Sequence, residues 1–316
     1  MIMTYEELKK HYFGAYSFSE TKDGYLASFQ YSKAQIEYFE KKDQFYYDRC
    51  AASTAKTLEF ITSATSISFD YNIIWKGSED SFELCVDGLI ERIDYVKDIP
   101  DKGRLEYSMA EGDKCVTIYL PADATVLIKD LEINADAGIP SKNEKVLWLG
   151  DSITQGFGPL RSSCTYVSVA NRELNYDIIN QGIGGYVYDK GSLMKMDGYE
   201  PDKIIIALGT NQFGDKSMAP VEEYYERLFE IYPDSIPTLT ILPIWRGDVE
   251  NGESGLKEFN NKVKKICEGY KNIKIIDGFK LVPHLSEYYL DNLHPNVIGA
   301  YVYGTNLVKA IKEIGF

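Results

Sequence analysis

The most informative stretch of the sequence is Val146-Leu147-Trp148-Leu149-Gly150-Asp151-Ser152-Ile153-Thr154. Its apolar half has the composition of a buried β-strand, and the glycine marks the end of that strand. Residues that follow such a strand lie at the carboxyl edge of a sheet, where open α/β folds bind their ligands. A serine at this edge can present both its hydroxyl and its backbone N–H to a bound molecule. Ser152 is therefore the first candidate functional residue.

After residue 140 the sequence alternates between apolar strand candidates and helical patterns. The strand candidates are 145–149, 177–180, 203–208, 238–242 and 274–276, and the helical patterns lie near 166–174, 220–231 and 256–270. This alternation predicts a parallel sheet covered by helices on both faces. A last helix is predicted to begin at Pro295 and to bury Val297, Tyr301, Val308 and Ile311.

Residues 1–140 have a different pattern. Short segments such as 66–71, 81–86 and 115–120 alternate between apolar and polar residues and are separated by turn residues. Many short strands, with little helical pattern beyond residues 5–12, predict an antiparallel β-sandwich, which we interpret as jelly-roll-like. A polar segment broken by Gly138 and Pro140 would join this domain to a second one over residues 144–316.

Composition narrows the possible partners. With 34 basic and 48 acidic side chains the formal net charge is −14, which argues against nucleic acid or an anionic membrane as a ligand. The five scattered cysteines show no C-x-x-C spacing and predict reduced thiols without a metal site. No apolar run could span a membrane and the first residues do not read as a secretory signal, so we expect a cytoplasmic protein. Chain length does not decide the oligomeric state.

Three further polar segments fall at strand ends or before a helix. They are Gly182-Ile183-Gly184-Gly185, Gly209-Thr210-Asn211 and Asp291-Asn292-Leu293-His294. Each has an ordinary structural explanation, as a tight turn, an Asx-turn or a surface pair. Ser152 itself could be a helix N-cap. A phosphate-binding loop is excluded, because no Gly-Lys-Ser/Thr follows and Gly150, Gly156 and Gly158 do not match Gly-x-Gly-x-x-Gly.

Taken together and in this order, the four segments resemble the conserved blocks of the SGNH/GDSL hydrolase superfamily. Gly150-Asp151-Ser152 is similar to the first block with its nucleophilic serine, and Gly185 corresponds to the glycine of the second, with Gly182 as the alternative. Gly209-Thr210-Asn211 resembles the third block and Asp291-x-x-His294 the last. Gln212 departs from the pattern, since many members have Asp after the asparagine.

The resemblance implies a flavodoxin-like three-layer α/β/α domain and acyl transfer through a covalent acyl-enzyme. Ser152 would be the nucleophile, His294 the general base and Asp291 the residue that orients the imidazole. The backbone N–H groups of Ser152 and Gly185 and the side chain of Asn211 would form the oxyanion hole. The resemblance implies no metal and no organic cofactor.

A β-sandwich ahead of such a domain resembles two-domain carbohydrate esterases, notably acetylxylan esterases, and it is also similar to an acyltransferase of the same superfamily. The expected substrate is a small-molecule or oligosaccharide ester, with acetyl as the expected acyl group. Trp245 and Arg246 follow a predicted strand and could contact a sugar, and Tyr186 and Phe157 could shape the acyl pocket. The alternatives are an acyltransferase and a non-catalytic carbohydrate-binding protein.

Overall fold

In the computed structural model, which describes residues 2–316, the N-terminal part of the chain contains two antiparallel sheets. The strands of the first sheet are β1 (Tyr12–Phe13), β4 (Thr57–Thr62), β6 (Ser81–Val86), β7 (Leu89–Tyr95), β9 (Lys114–Tyr119) and β11 (Ala137–Gly138). Their order is β1-β4-β9-β6-β7, and β11 also pairs with β4.

The strands of the second sheet are β2 (Ser17–Glu20), β3 (Leu26–Phe29), β5 (Ser66–Lys76), β8 (Lys102–Ser108) and β10 (Ala124–Ile133). Their order is β2-β3-β10-β5-β8, with every pair antiparallel. Between β3 and β10 most consecutive strands belong to opposite sheets. The two sheets are therefore built from the same continuous stretch of chain.

The two sheets pack face to face around one apolar core. Phe60 and Ile118 of the first sheet and Phe69 and Ile128 of the second are fully buried in the same cluster. These side chains alternate along their strands with more exposed ones, because successive residues of a strand point to opposite faces. The predicted β-sandwich is confirmed, and we refer to it below as the sandwich.

Three helices accompany the sandwich, α1 (Tyr5–Lys10), α2 (Lys33–Lys42) and α3 (Gln44–Cys50). The sequence pattern predicts α1 but not α2 or α3. α2 is largely polar and α3 has only seven residues, so neither shows a clear apolar periodicity, although Ser32 and Gln35 form a capping box that marks the start of α2. Phe39 of α2 packs against Tyr186, so this pair of helices lies on the C-terminal part of the chain.

The C-terminal part is a three-layer α/β/α unit. Its strands are β12 (Lys145–Gly150), β13 (Asp177–Gly182), β14 (Lys203–Ala207), β15 (Thr238–Ile241) and β16 (Ile273–Ile276), and its helices are α4 (Ser152–Gln155), α5 (Tyr166–Leu174), α6 (Ala219–Ile231), α7 (Gly252–Cys267) and α8 (Val297–Glu313). The strand order β13-β12-β14-β15-β16 is that of a flavodoxin-like sheet, and all neighbours are parallel. The predicted parallel sheet is confirmed.

Alternate residues of β12, which lies between β13 and β14, face opposite helical layers. Val146 and Trp148 lie in the cluster formed with α5 and α8, whereas Leu147 and Leu149 lie in the cluster formed with α6 and α7. A strand covered on both faces must be apolar at every position, which explains the continuous apolar run before Gly150.

The last helix differs from its prediction. It begins at Val297 with Asn296 as N-cap, and the side chains of Val297 and Tyr301 are exposed while Val308 and Ile311 are buried as expected. The buried face runs along positions 300, 303, 307, 308 and 311, so 297 and 301 fall on the neighbouring face of the same helix. No helix within residues 2–316, this one included, is long and apolar enough to cross a lipid bilayer.

A buried polar cluster joins the sandwich to the α/β/α unit. The carboxylate of Glu83 on β6 is fully buried and accepts hydrogen bonds from Arg161 (2.6 and 2.9 Å) and from the hydroxyl and amide of Ser163 (2.7 and 3.0 Å). Nearby, the hydroxyl of Ser162 donates to Asp80 at 3.0 Å. A buried carboxylate is tolerated only with such partners, so these contacts fix how the two parts meet. We call Glu83, Arg161 and Ser163 the Glu83 cluster.

Candidate active site

Three loops of the α/β/α unit meet at the carboxyl edge of its sheet. In the ladder, Gly150 pairs with Gly182 on one side and with Ala207 on the other. The loops after these positions carry Ser152, Gly185 and Asn211, and all three residues line one pocket together with His294. The structure thus brings together residues that the sequence placed only at strand ends.

Ser152 is the first residue of the short helix α4 and is only 8% exposed. Asp151, not Ser152, caps this helix, because its carboxylate accepts the N–H of Ile153 at 3.0 Å. Burial raises the pKa of Asp151 to about 7, against the opposing effect of its backbone hydrogen bonds. With the capping role taken by its neighbour, the Ser152 hydroxyl is directed to His294 instead.

His294 lies between Ser152 and Asp291. Its Nε2 is 2.8 Å from Ser152 Oγ, and its Nδ1 is 2.8 Å from Asp291 Oδ2. The other carboxylate oxygen accepts the backbone N–H groups of His294 (2.8 Å) and Leu293 (3.1 Å). Burial tends to raise the pKa of Asp291, but the hydrogen bonds from the backbone and ring of His294 outweigh it and hold this pKa below its usual range. The carboxylate therefore stays ionised beside the imidazole.

The loop after α4 supports the imidazole from the other side. The Phe157 ring packs edge-on against His294, with 4.7 Å between the ring centroids. Gly158 has a φ of +121°, and a Cβ at this position would lie 2.4 Å from the carbonyl oxygen of Pro295. Only glycine permits this approach of the two backbones, so Gly158 lets the α4 loop lie directly against the His294 loop.

The second loop is a tight turn over residues 183–186. The N–H of Tyr186 donates to the Ile183 carbonyl at 3.1 Å, and Gly185 at the third position has a φ of +72°. A positive φ there is what a type II turn requires, and the hydrogen bond that closes such a turn does not use the N–H of its third residue. Within residues 2–316 neither this amide nor that of Ser152 donates to another protein group. Both remain available to a ligand in the pocket.

In the third loop, hydrogen bonds of the Asn211 side chain and of its neighbour Gln212 hold Asn211 in place. Its side-chain NH₂ donates to the Tyr186 carbonyl at 2.9 Å, which uses one N–H and links this loop to the turn. The next residue, Gln212, is buried and accepts the N–H of Tyr188 at 2.5 Å. The departure from the superfamily pattern at Gln212 is therefore a loop contact that leaves the Asn211 side chain in the pocket.

The pocket around Ser152 has a volume of about 220 Å³. Four of its lining residues, Phe45, Arg49, Gly77 and Asp123, come from the N-terminal part of the chain. The Arg49 guanidinium lies 3.6 Å from the centroid of the Phe45 ring, and a Cβ built on Gly185 would lie 3.4 Å from that ring. Sequence reasoning missed these residues, because only the folded chain brings α3 and the start of β10 to the sheet edge.

Of the side chains expected to contact substrate, Phe157 lines this pocket, and Trp245, Arg246 and Tyr186 are not among its lining residues. Trp245 stacks on His284 with 5.9 Å between centroids and packs on Tyr289. Arg246 is 9% exposed and donates to Asp248 and, at 2.7 Å, to the carbonyl of Thr210. Arg246 thus braces the loop that carries Asn211. The Tyr186 side chain is buried, and its hydroxyl donates to Asp189 at 2.7 Å.

Other places that could bind a ligand lie away from Ser152. A cavity of about 400 Å³ lies between the first sheet of the sandwich and α5, and its walls include Glu59, Lys142 and Arg172 but none of the three loops. His11 bonds to the Glu59 carbonyl and His284 to that of Phe279, so neither ring faces the pocket. Across residues 2–316 no group of three or more His, Cys, Asp or Glu side chains is arranged to hold a metal ion.

Residues 148–301 match the GDSL-like Lipase/Acylhydrolase family, and the match contains all the residues of the three loops together with Asp291 and His294. This part of the chain is a GDSL-like lipase/acylhydrolase domain. The resemblance drawn from the four sequence blocks is thereby confirmed.

Relatives of the GDSL domain include esterases. The chain is 24% identical over 208 residues to a multidomain esterase of Ruminococcus flavefaciens, a match that covers 49% of this chain and 27% of the esterase. The chain therefore spans about a quarter of the length of that curated relative.

Two solved structures show that the whole fold recurs. The salicylyl-acyltransferase SsfX3 from a tetracycline biosynthetic pathway superposes with a TM-score of 0.74 at 19% identity, covering 96% of this chain and 94% of that one. A family two carbohydrate esterase from Clostridium thermocellum, solved in complex with cellohexaose, gives a TM-score of 0.64 at 17% identity, covering 84% of this chain and 94% of that one. At such identities the likeness establishes the fold alone.

Proposed function

We propose that the chain is a serine esterase that removes short acyl groups, chiefly acetyl, from carbohydrate esters. The observation that carries this proposal is the continuous series of contacts from Ser152 Oγ through His294 to Asp291, with 2.8 Å at each step. A hydroxyl, an imidazole and a carboxylate in this order are the arrangement that activates a serine for acyl transfer. The GDSL family match supports the same reading.

In the first half-reaction Ser152 Oγ attacks the carbonyl carbon of the ester, and its proton passes to His294 Nε2. Asp291 accepts the Nδ1–H and stabilises the imidazolium that forms. The negative oxygen of the tetrahedral intermediate is held by the N–H groups of Ser152 and Gly185 and by the side chain of Asn211. Removal of one such donor typically lowers kcat by about 10²–10³-fold.

The intermediate then collapses to the acyl-enzyme. The C–O bond to the alcohol breaks, and the imidazolium returns its proton to the leaving oxygen. In the second half-reaction a water attacks the acyl carbon while His294 takes its proton, and the acid departs as Ser152 recovers its hydroxyl. Each proton is carried by His294 between the serine, the alcohol and water.

The lining of the pocket supports a small acyl group on a hydroxylated alcohol. Its apolar members are Phe45, Phe157 and Leu293, whereas Arg49 and Asp123 offer a donor and an acceptor. An aromatic ring beside charged hydrogen-bonding groups suits a sugar, which has both an apolar face and polar hydroxyls. The names of the neighbours, a multidomain esterase and a carbohydrate esterase solved with cellohexaose, agree with this choice.

Transfer of the acyl group to another alcohol is the second candidate. It is favoured by the likeness to a salicylyl-acyltransferase over 96% of this chain, which includes the sandwich. The chemistry is the same up to the acyl-enzyme, and the two activities differ only in whether water or an acceptor hydroxyl attacks it.

The test compares acetyl, butyryl and octanoyl p-nitrophenyl esters, followed by acetylated xylo-oligosaccharides. Variant Ser152→Ala is measured beside Ser192→Ala, a control serine that is also 8% exposed. We expect fast acetyl release by wild type and Ser192→Ala and none by Ser152→Ala. A folded wild type that releases no acyl group would contradict the esterase, and acyl transfer to added alcohol in preference to water would select the acyltransferase.

A further inference from the structure

The turn over residues 183–186, which carries the proposed oxyanion donor, needs support from outside because Gly184 and Gly185 are adjacent in it. The donor proposed for catalysis, the N–H of Gly185, belongs to the peptide bond between Gly184 and Gly185. Glycine populates positive and negative φ about equally, so this peptide could rotate and carry its N–H away from the pocket. Something must hold the turn in the conformation that directs this N–H outward.

Gln155 supplies that support from the last residue of α4. Its Oε1 accepts the Gly184 N–H at 2.6 Å, and its Nε2 donates to Asp123 Oδ1 at 2.6 Å. Gln155 is only 2% exposed, so bulk water has little access to its side chain. Gln155 therefore connects the turn to a carboxylate of the N-terminal part.

Asp123 determines which way the Gln155 amide points. A carboxylate only accepts hydrogen bonds, so it must face the NH₂ of the amide and leave the oxygen for Gly184. Burial raises the pKa of Asp123 to about 6, with nearby Arg49 acting in the opposite direction, so the group is ionised at pH 8. The backbone carbonyl of Asp123 accepts the Gly77 N–H at 2.8 Å, which fixes the residue to the sandwich.

From these contacts we infer that Asp123 is a positioning residue of the oxyanion hole, acting through Gln155 on the turn that carries Gly185. The inference rests on the proposed esterase function and assigns to the sandwich a direct part in it. Asp123 touches no reacting atom in this scheme. It selects one of two amide orientations, and only that orientation holds Gly184.

The test is a double-mutant cycle with Asp123→Asn and Gln155→Met. An asparagine can present its own NH₂ to Gln155 and so permits the reversed amide, whereas methionine keeps the length and loses both contacts. We expect each variant to lower kcat/KM for p-nitrophenyl acetate by about tenfold or more, in line with the worth of one oxyanion donor. The double variant should be no slower than Gln155→Met, because the residues act in series. Additive losses would overturn the inference.

An inhibitor and a control variant separate a loss of oxyanion-hole positioning from general damage to the fold. Phenylboronic acid, which adds to an active serine as a tetrahedral anion, should bind less tightly to both variants by the same factor as kcat/KM falls. Glu83→Gln is the matched control, since it also removes a buried carboxylate between the sandwich and the α/β/α unit but has no contact with Gln155. We expect it to keep kcat/KM within about twofold of wild type.

Amide hydrogen exchange at Gly184, followed by NMR on the ¹⁵N-labelled protein, tests the contact without any substrate. Exchange should be slow in wild type and in Glu83→Gln and faster in Asp123→Asn and Gln155→Met. If wild type fails to hydrolyse esters yet shows this pattern, the proposed function falls and the positioning contact stands. Slow exchange in both variants, or unchanged kcat/KM in a folded Gln155→Met, would overturn the inference.

Discussion

Ser152 Oγ lies 2.8 Å from His294 Nε2 although the two residues are 142 positions apart in the chain. The serine follows β12, and the histidine precedes α8, which packs in the same apolar cluster as that strand. The two loops are in backbone contact at Gly158 and Pro295. Their relative position therefore depends on the packing of the whole α/β/α unit.

Removal of the imidazole tests this relationship. We expect His294→Ala to lower kcat/KM for p-nitrophenyl acetate by at least about 10³, because no other base lies within reach of the serine proton. Asp291→Asn should cost less, about 10–10²-fold, since the Asp291 side chain is 46% exposed and water can solvate part of the imidazolium charge. Equal losses in the two variants would contradict this ranking. The measurement is steady-state kinetics at pH 8.

Loss of the Asn211 amide should affect the chemical step more than the fold. We expect Asn211→Ala to lower kcat by about 10²–10³ with a small change in thermal stability, because one oxyanion donor disappears. Asn211 also donates to the Tyr186 carbonyl, so thermal unfolding must be followed in parallel. A large fall in melting temperature with unchanged kcat would assign Asn211 to the fold alone.

The exposed ring of Phe45 should contribute to selection of the alcohol. Its side chain is 44% exposed and lies beside Gly185, at the mouth of the pocket. We expect Phe45→Ala to lower kcat/KM for acetylated xylo-oligosaccharides about three- to tenfold, the worth of one aromatic contact. Turnover of p-nitrophenyl acetate, which has no sugar, should change little. Tyr301→Ala, an exposed ring on α8 outside the pocket, is the control for both substrates.

Lys56 predicts an unusual pH dependence of stability. It is 1% exposed, its Nζ donates to the Ser28 carbonyl at 2.7 Å, and burial lowers its pKa to about 7. Between the unfolded pKa near 10.4 and this value only the unfolded chain is protonated, so lowering the pH removes up to about 1.4 kcal/mol of stability per pH unit. Urea unfolding should be measured for wild type and Lys56→Met from pH 10 to 7. We expect the free energy of unfolding of the variant to rise relative to that of wild type as the pH falls. A constant difference between the two would contradict the buried, neutral lysine.

The parts of the site that could be predicted are those written into the sequence locally. An apolar run stopped by Gly150, and similar runs before Gly182 and Gly209, locate the carboxyl edge of the sheet, and parallel strands place their following loops side by side. Asp291 and His294 were linked to Ser152 by the chemistry of their side chains, and to this edge of the sheet by the superfamily resemblance. Their spacing alone would equally fit a surface pair.

The remaining wall of the pocket depends on contacts between distant segments. Phe45 and Arg49 lie on a helix of only seven residues, too short to show a clear periodicity, and Asp123 precedes a strand of the sandwich. No local pattern indicates that these residues meet Ser152. Trp245 was predicted as a possible sugar contact from its place after a strand, and its ring stacks on His284 outside the residues that line the pocket. The sequence pattern shows where a strand ends but not how its loop packs.

The Glu83 cluster also bears on how this chain can evolve. A recombination event that replaced the sandwich with an unrelated module would leave Arg161 and Ser163 without their acceptor, and Glu83 would be an unpaired charge in any new setting. A change that leaves a buried charge on one side of this contact without its partner would therefore cost stability unless the other side changes as well. The sandwich and the α/β/α unit thus depend on each other, even though each has a hydrophobic core of its own.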